Sequence, residues 1–169
     1  MAINYAKSTK ISGARSEEEI RKMLKNFGAK NIVPLDGLEV GEKIFIGIQF
    51  DFELRRVRMT IEIPDPEDDK FRYSPGLRNR RSAAQRLDAW NKEINRLWRA
   101  LQLKVKARLV SIEEKISDFE EEFFYDIVAP GADANGATVG QIMRPQLALA
   151  YRTGKLPPLL PGVGETSGE

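Results

Sequence analysis

The longest regular pattern in this sequence is a series of apolar residues at steps of three and four between positions 87 and 112. Side chains at that spacing fall on one side of an α-helix. Ser82 and Gln85 have the spacing of a capping box, so we expect one helix from residue 83 to about residue 116, about 50 Å long. The apolar stripe, which needs a second layer to cover it, comprises Leu87, Trp90, Ile94, Leu97, Leu101, Val105, Leu109 and Ile112.

Two shorter segments, 44–52 and 57–63, alternate apolar and polar residues with the period of a β-strand. Only Glu53, Leu54 and their neighbours separate them, so we expect an antiparallel hairpin with one apolar face. Residues 30–38 predict an edge strand or a loop, because this segment contains proline and glycine.

Shorter helices are predicted on both sides of these elements. Each has a polar residue followed three positions later by glutamate or glutamine, which is the pattern of a capping box. The N-terminal one is expected at about 17–27 and ends at a glycine. After the long helix a bend and a short helix are expected, and then a last helix interrupted or restarted at Pro145. The proposed caps are Ser16 with Glu19, Ser117 with Glu120, and Thr138 with Gln141; the glycines are Gly28 and Gly154.

These patterns predict one α+β domain over residues 1–162. It contains a short helix, a small antiparallel sheet with its hairpin, one long amphipathic helix across the sheet, and short C-terminal helices with an extended tail. Residues 163–169 are expected to be a flexible tail. Leu159 and Leu160 lie among prolines, so that segment either covers the core or presents two apolar side chains to a partner.

The composition excludes many kinds of chemistry. The 169 residues contain neither cysteine nor histidine, so there are no disulfides, no thiol nucleophile and no histidine-based triad or zinc site. We expect no catalytic residue, no cofactor and no metal. No apolar run approaches the roughly 20 residues that span a bilayer, and no signal peptide is recognisable, so we expect a cytoplasmic protein that does not enter membranes.

Charge is distributed unevenly although the net charge is only +2. Ten basic residues lie between positions 78 and 108 against two acidic ones, and seven acidic residues against one lysine follow between positions 113 and 126. This asymmetry predicts one anion-binding face. The candidate nucleic-acid-binding cations in and before the long helix are Arg78, Arg80, Arg81, Arg86, Lys92, Arg96, Arg99, Lys104, Lys106 and Arg108. The alternative is a solvated helix face whose cations pair with nearby carboxylates.

Arg56 and Arg58 lie on the same face of the second hairpin strand. They complete a basic groove if that face is turned toward the long helix or the loop at its N-terminus. Trp90 and Trp98 are about 80° apart around that helix. Exposed tryptophans stack nucleic-acid bases, whereas buried ones belong to the core; Trp98, nearer the edge of the stripe, is the candidate for exposure.

Two acidic runs are candidate magnesium ligands, because hard cations accept clusters of carboxylates. One run has Asp65, Glu67, Asp68 and Asp69, and the other has Glu120, Glu121, Glu122 and Asp126. Neighbouring acids on a helix point in different directions, and the loop acids lack the EF-hand spacing. We therefore expect that they solubilise a loop, balance the basic helix or dock a neighbouring subunit. The last role makes a homo-oligomer an expected state.

Three stretches, "RRVRMTIEIPDP", residues 80–128 with "WRAL" and "FEEEF", and "AYRTGKLPPLLPG", resemble a family of mostly uncharacterised proteins of bacteriophages and prophages. The likeness covers roughly residues 40–162 and implies a mobile-element origin, and with it the cytoplasm of a bacterial host as the location. The order of a small helix, an antiparallel strand region and one long helix is also similar to that of phage single-strand annealing proteins of the Redβ and RecT type. Those proteins hold DNA in a basic groove beside a hairpin.

Together these observations predict a non-enzymatic protein that binds nucleic acid, with single-stranded DNA as the expected ligand, in phage recombination or replication. The alternative is a protein-interaction or structural module that binds a host or phage protein.

Overall fold

Three antiparallel strands and one long helix form the framework of the protein, which confirms the α+β class. The computed structural model describes residues 13–77, 79–130 and 136–155. Its elements are α1 (Ala14–Phe27), β1 (Lys30–Val40), β2 (Lys43–Phe52), β3 (Arg55–Glu62), α2 (Asp69–Arg72), α3 (Ala83–Glu113), α4 (Phe119–Phe123) and α5 (Val139–Thr153), with 3-10 turns at Pro75–Leu77 and Phe124–Asp126.

The sheet has the order β1-β2-β3. The predicted hairpin is confirmed, with Glu53 in its turn at a φ of 51°. β1 is the expected edge strand, and its pairing with β2 is irregular next to Gly37, which has a φ of 78°. Beyond β3, Ile127 forms a single bridge with Val57. The C-terminal segment therefore reaches the sheet beside β3.

The core lies between one face of this sheet and the helices α1 and α3. Alternate residues of β2 and β3 are fully or almost fully buried there, as their period of two predicts. Helix α1 adds Ile20 and Leu24, and Phe123 of α4 packs edge-on against Phe50. The buried sheet residues are Ile46, Ile48, Phe50, Val57 and Met59.

Helix α3 runs for 31 residues and is therefore about 46 Å long. Its capping box is confirmed: the Ser82 hydroxyl accepts from the Gln85 amide, and the Gln85 side chain accepts from the Ser82 amide. The helix ends at Glu113, three residues earlier than expected, and Lys115 then has a φ of 58°. Its fully buried stripe is Trp90, Ile94, Trp98, Leu101, Val105 and Leu109.

Two of the predicted caps are wrong. Helix α1 begins at Ala14 with Gly13 as its N-cap, so Ser16 lies inside the helix and caps nothing. The cap of α4 is Asp118 with Glu121, one residue later than expected, because the Asp118 carboxylate accepts from the Glu121 amide. The expected bend at this point is confirmed, since α3 and α4 are separate helices.

The other helix ends agree with the sequence. Gly28 and Gly154 have the left-handed conformation that closes α1 and α5, and Thr138 and Gln141 form a capping box. Pro145 lies inside α5 without dividing it, which corrects the expected interruption. The short helix α2 was not predicted, because its segment reads as a charged loop.

Some expectations lie outside the described residues. They include the tail with Leu159 and Leu160 and the boundary between residues 1–162 and 163–169. Among the described helices, none is both long and apolar enough to cross a membrane.

The packing around Trp98 generates the first prediction. A Cβ atom added to Gly13 would lie 2.1 Å from Cδ1 of Trp98, so the N-terminus of α1 closes directly over the indole ring. We expect Trp98→Ala to lower the free energy of unfolding by about 3–5 kcal/mol, because it leaves a large cavity. Leu54→Ala, at a fully exposed hairpin position, should change it by less than about 0.5 kcal/mol. Chemical denaturation measures both; equal effects would contradict the burial of Trp98.

Candidate nucleic-acid interface

Arg56 and Arg58 lie on the face of β3 that points away from the core, because they alternate with the buried Val57 and Met59. Their shared face is confirmed. Helix α3 packs with the core residues, so it is on the opposite side of the sheet. The predicted groove between these arginines and the basic helix is therefore wrong.

Arg58 has a structural role in this arrangement. Only 9% of its surface is exposed. Its Nε donates to Gln49 Oε1 at 3.0 Å, and its Nη1 donates to the carbonyl of Gly136 at 3.0 Å. Arg58 thus fastens the segment before α5 to the sheet, and its guanidinium is not available to a phosphate.

Arg56 belongs to a polar cluster that crosses all three strands. Arg56 Nε donates to one oxygen of Asp51 at 2.9 Å, and Asn31 Nδ2 donates to the other oxygen at 2.9 Å. The hydrogen bond from Arg56, followed by that from Asn31, holds the pKa of Asp51 below its usual value, against the opposing effect of burial. The side chain of Arg56 is partly exposed, but its guanidinium is already paired with the carboxylate of Asp51.

Arg81 and Arg86 attach α2 and the loop before it to α3. Arg81 Nη1 donates to the carbonyls of Lys70 and Phe71, at 2.9 and 3.3 Å. Arg86 Nη1 lies 2.9 Å from Glu67 Oε2. These contacts fix the start of α3 relative to the preceding chain. Both arginines therefore have a structural role in addition to contributing positive charge.

Lys92 and Arg96 lie on the outer side of α3 and pair within the helix. Lys92 Nζ is 2.7 Å from Asp88 Oδ2, and Arg96 makes two hydrogen bonds of 2.8 Å to Glu93. The hydrogen bonds from Arg96 lower the pKa of Glu93. The side chains of Lys92 and Arg96 remain largely exposed, and exposed pairs of this kind contribute little to stability and exchange readily.

Trp98 is 1% exposed, so its place among the candidate nucleic-acid-binding residues is wrong. The interpretation of both tryptophans as core residues is confirmed, since Trp90 is also 1% exposed. Trp90 Nε1 donates to the carbonyl of Pro64 at 2.9 Å. Trp98 lies toward the edge of the predicted stripe, and Gly13, far away in sequence, packs against its ring.

The remaining cations fall into two groups. Arg108 pairs with Asp126 and lies over the Phe123 ring, with its side chain 18% exposed. Arg80, Arg99, Lys104 and Lys106 are exposed and have no carboxylate partner within the described ranges. Arg78 lies outside the described residues. Of the predicted basic surface, these four cations and the outer pairs of α3 remain accessible.

An open pocket of about 450 Å³ lies at the N-terminal end of α3. The chain builds it with two short antiparallel segments: the Ser74 amide donates to the Asn79 carbonyl at 2.8 Å, and the Arg81 amide donates to the Arg72 carbonyl at 2.8 Å. The pocket thus collects cations and neutral hydrogen-bonding groups, with one carboxylate. Its lining residues are Ser74, Asn79, Arg80, Arg81, Gln85, Asp88, Ala89 and Lys92.

The first turn of α3 adds backbone donors near this pocket. The capping box satisfies the amides of Ser82 and Gln85. The amides of Ala83 and Ala84 have no acceptor in the described part of the chain. Free amides and the positive end of the helix dipole favour an anion at such a position. Ser74 and Asn79 were not predicted as site residues, because in the sequence they are ordinary turn residues.

The acidic residues considered as metal ligands are separated by their partners. Glu120 pairs with Arg55 and Asp126 with Arg108. Ser117 donates to Glu122 at 2.6 Å, and this hydrogen bond is the main reason that the pKa of Glu122 is lowered. Within the described residues, no group of three or more acidic side chains is placed to hold a metal ion.

No family model, curated protein or solved structure matches this chain. The resemblance to a phage family and to single-strand annealing proteins therefore stays a prediction.

The cluster around Asp51 generates a prediction for stability as a function of pH. A carboxylate with a lowered folded-state pKa stabilises the protein above its unfolded pKa, and that contribution is lost as the pH falls through the folded pKa. We expect Asp51→Asn to lower the melting temperature by a few degrees at pH 7. The difference in melting temperature should shrink below about pH 4, since the ordinary pKa of an aspartate side chain is 3.8 and that of Asp51 is lower.

Thermal melts of both proteins between pH 2.5 and pH 7, values chosen to span the carboxylate range, measure this effect. Glu18→Gln, on the exposed side of α1, is the control and should melt like the wild type throughout. A deficit for Asp51→Asn that stays constant down to the lowest pH would contradict the role given to the charge of Asp51.

Proposed function

We propose that this protein binds nucleic acid, with single-stranded DNA as the ligand, without sequence choice, and that the pocket at the start of α3 receives a backbone phosphate. The observation that carries the proposal is the convergence of Arg80, Arg81 and Lys92 on one open pocket along the first turns of α3, a helix whose N-terminus also has two free amides. Phosphate oxygens accept hydrogen bonds from arginine, from lysine and from amides at a helix N-terminus.

The charge balance of the pocket also supports this ligand. Three cations and one carboxylate line it, and that carboxylate, Asp88, is paired with Lys92. An entering phosphate therefore meets a net positive site. Exposed Lys92 and Arg96 continue the positive surface along the next turns of α3, so a strand bound at the pocket extends along the helix rather than across the sheet.

The neutral lining groups favour binding without sequence choice. Ser74, Asn79 and Gln85 provide hydrogen bonds, but Ser74 and Gln85 already take part in local contacts that shape the loop and the cap. Both tryptophans are buried, so neither provides a surface for stacking bases. Affinity from phosphate contacts alone carries no base information and falls steeply with salt.

The test of this proposal is the retention of a labelled single-stranded oligonucleotide at about 50 mM salt, where phosphate contacts are strong. We expect wild-type binding whose affinity falls as a power of the salt concentration. Arg80→Gln with Lys92→Gln should weaken binding at least about tenfold and should reduce the salt slope by about one to two.

The matched control is Lys22→Gln with Lys25→Gln, which removes the same charge from the exposed side of α1. This control should bind within about twofold of the wild type, because a distant cation acts only through screened electrostatics. If the two double variants weaken binding equally, the pocket is not the site. If the wild type does not bind at all, the proposal fails.

Protein interaction is the second candidate function. Its support is the exposure of Leu149 and Tyr151 on α5, which are 42% and 90% exposed. Beyond its first turn, α5 leaves these apolar side chains uncovered. The variant that neutralises Arg80 and Lys92 leaves this apolar surface unchanged. It therefore separates the two functions, because an interaction module keeps its partner contacts in that variant.

A further inference from the structure

The outer side of α3 has an apolar line in its C-terminal half. Leu103 and Val110 are 58% and 43% exposed, and Ala100 and Ala107 lie beside them, also exposed. The steps between these four positions are three, four and three residues, which is the spacing of a heptad. At 100° per residue the line lies about 170° from the buried stripe, so it points away from the sheet and from α1, which cover that stripe.

This line is suited to a second helix. The two alanines, Ala100 and Ala107, are one heptad apart and allow the two helix backbones to approach closely. Leu103 lies between them and Val110 follows the second alanine, and these larger side chains fill the remaining space between the helices. An isolated exposed leucine needs no explanation. Four apolar positions in heptad register, on a helix that already buries a complete stripe elsewhere, are a second contact surface.

The charges beside the line determine which helix fits. Arg96 and Arg99 lie at its N-terminal end, and Glu113 and Glu114 lie at its C-terminal end. Arg99, Glu113 and Glu114 have no oppositely charged partner within the described residues. A second copy of α3 running antiparallel places Arg99 opposite Glu113 and Arg96 opposite Glu114, each pair occurring twice.

A parallel copy fits badly. In a parallel pair the residues that flank the apolar line meet five positions apart, so Arg99 faces Lys104 of the other copy. Like charges at such positions repel and specify against that orientation. The N-terminal part of α3 is basic and its C-terminal end is acidic. Opposite charges therefore meet only when the second copy of α3 runs antiparallel.

We propose that two copies of this protein associate through an antiparallel contact of their α3 helices, with the two-fold axis passing near residue 105. Ala100 then packs against Val110 of the other copy, and Leu103 packs against Ala107. Lys104 and Lys106 each face their own symmetry mates across the axis, which opposes the contact. This surface does not include the pocket around Arg80 and shares only Arg96 with the surface proposed for the strand, so the inference does not rest on the proposed function.

The extent of the contact determines its strength. The apolar line occupies two heptads, which is less than the standard protein interface of about 1,600 Å². The repulsion between the lysine pairs weakens it further. The dimer is therefore concentration-dependent.

Cross-linking tests the geometry directly, because the chain contains no cysteine and any introduced thiol is the only one present. Lys106→Cys places two thiols on either side of the axis, so a short bismaleimide should join the two chains. Lys92→Cys occupies the equivalent position two heptads earlier, far from the axis of an antiparallel pair. The reagent should therefore not join the two chains of this variant. Cross-linking of both variants indicates a parallel pair, and cross-linking of neither indicates no pair; each result overturns the proposal.

Sedimentation velocity over a range of concentrations tests the energetics. We expect wild-type self-association that Leu103→Asp abolishes, while Leu54→Asp, at a fully exposed turn position, leaves it unchanged. Arg99→Glu and Glu113→Arg should each weaken the dimer, and their combination should restore it. Melting curves of all variants confirm that they fold. A wild type that is monomeric at the highest attainable concentration, or a dimer indifferent to Leu103→Asp, contradicts the proposal.

Discussion

The burial of one face of α3 against the sheet and against α1 is the contact on which the rest of the structure depends. Trp90 and Trp98 are the two largest side chains in this contact, and both are fully covered. Because α3 uses one complete stripe for the core, the position of every other side chain around the helix is fixed. The cations of α3 therefore cannot be brought to the sheet face that carries Arg56 and Arg58.

That constraint divides the basic residues by what they do. Arg58, Arg81 and Arg86 hold loops and short elements in place through hydrogen bonds and ion pairs. The pocket at the start of α3 and the adjoining outer turns keep cations that face solvent. Further along the helix, exposed cations flank an apolar line, and in the dimer that we propose they set the orientation of the second copy. One long helix thus provides the core stripe and the two surfaces at which we propose that an anion and a second copy bind.

The sequence was sufficient for the elements whose patterns are local. The hairpin, the capping boxes at Ser82 and Thr138 and the left-handed glycines at the ends of α1 and α5 all follow from a few neighbouring residues. The failures have a common cause. The contact that covers the Trp98 ring and the carbonyl that binds the Arg58 guanidinium come from Gly13 and Gly136, which are distant in sequence. The pocket was missed because turn residues such as Ser74 acquire their role only when the chain folds back on itself.

We propose that nucleic acid contacts the N-terminal turns of α3 and not its C-terminal half. Amide chemical shifts, followed by NMR during titration with a short single-stranded oligonucleotide, test this residue by residue. We expect the largest changes at the free amides of Ala83 and Ala84 and in the segment 74–92, with small changes between residues 99 and 110. Dominant changes at residues 99–110, or on the sheet face around Arg56, would contradict it.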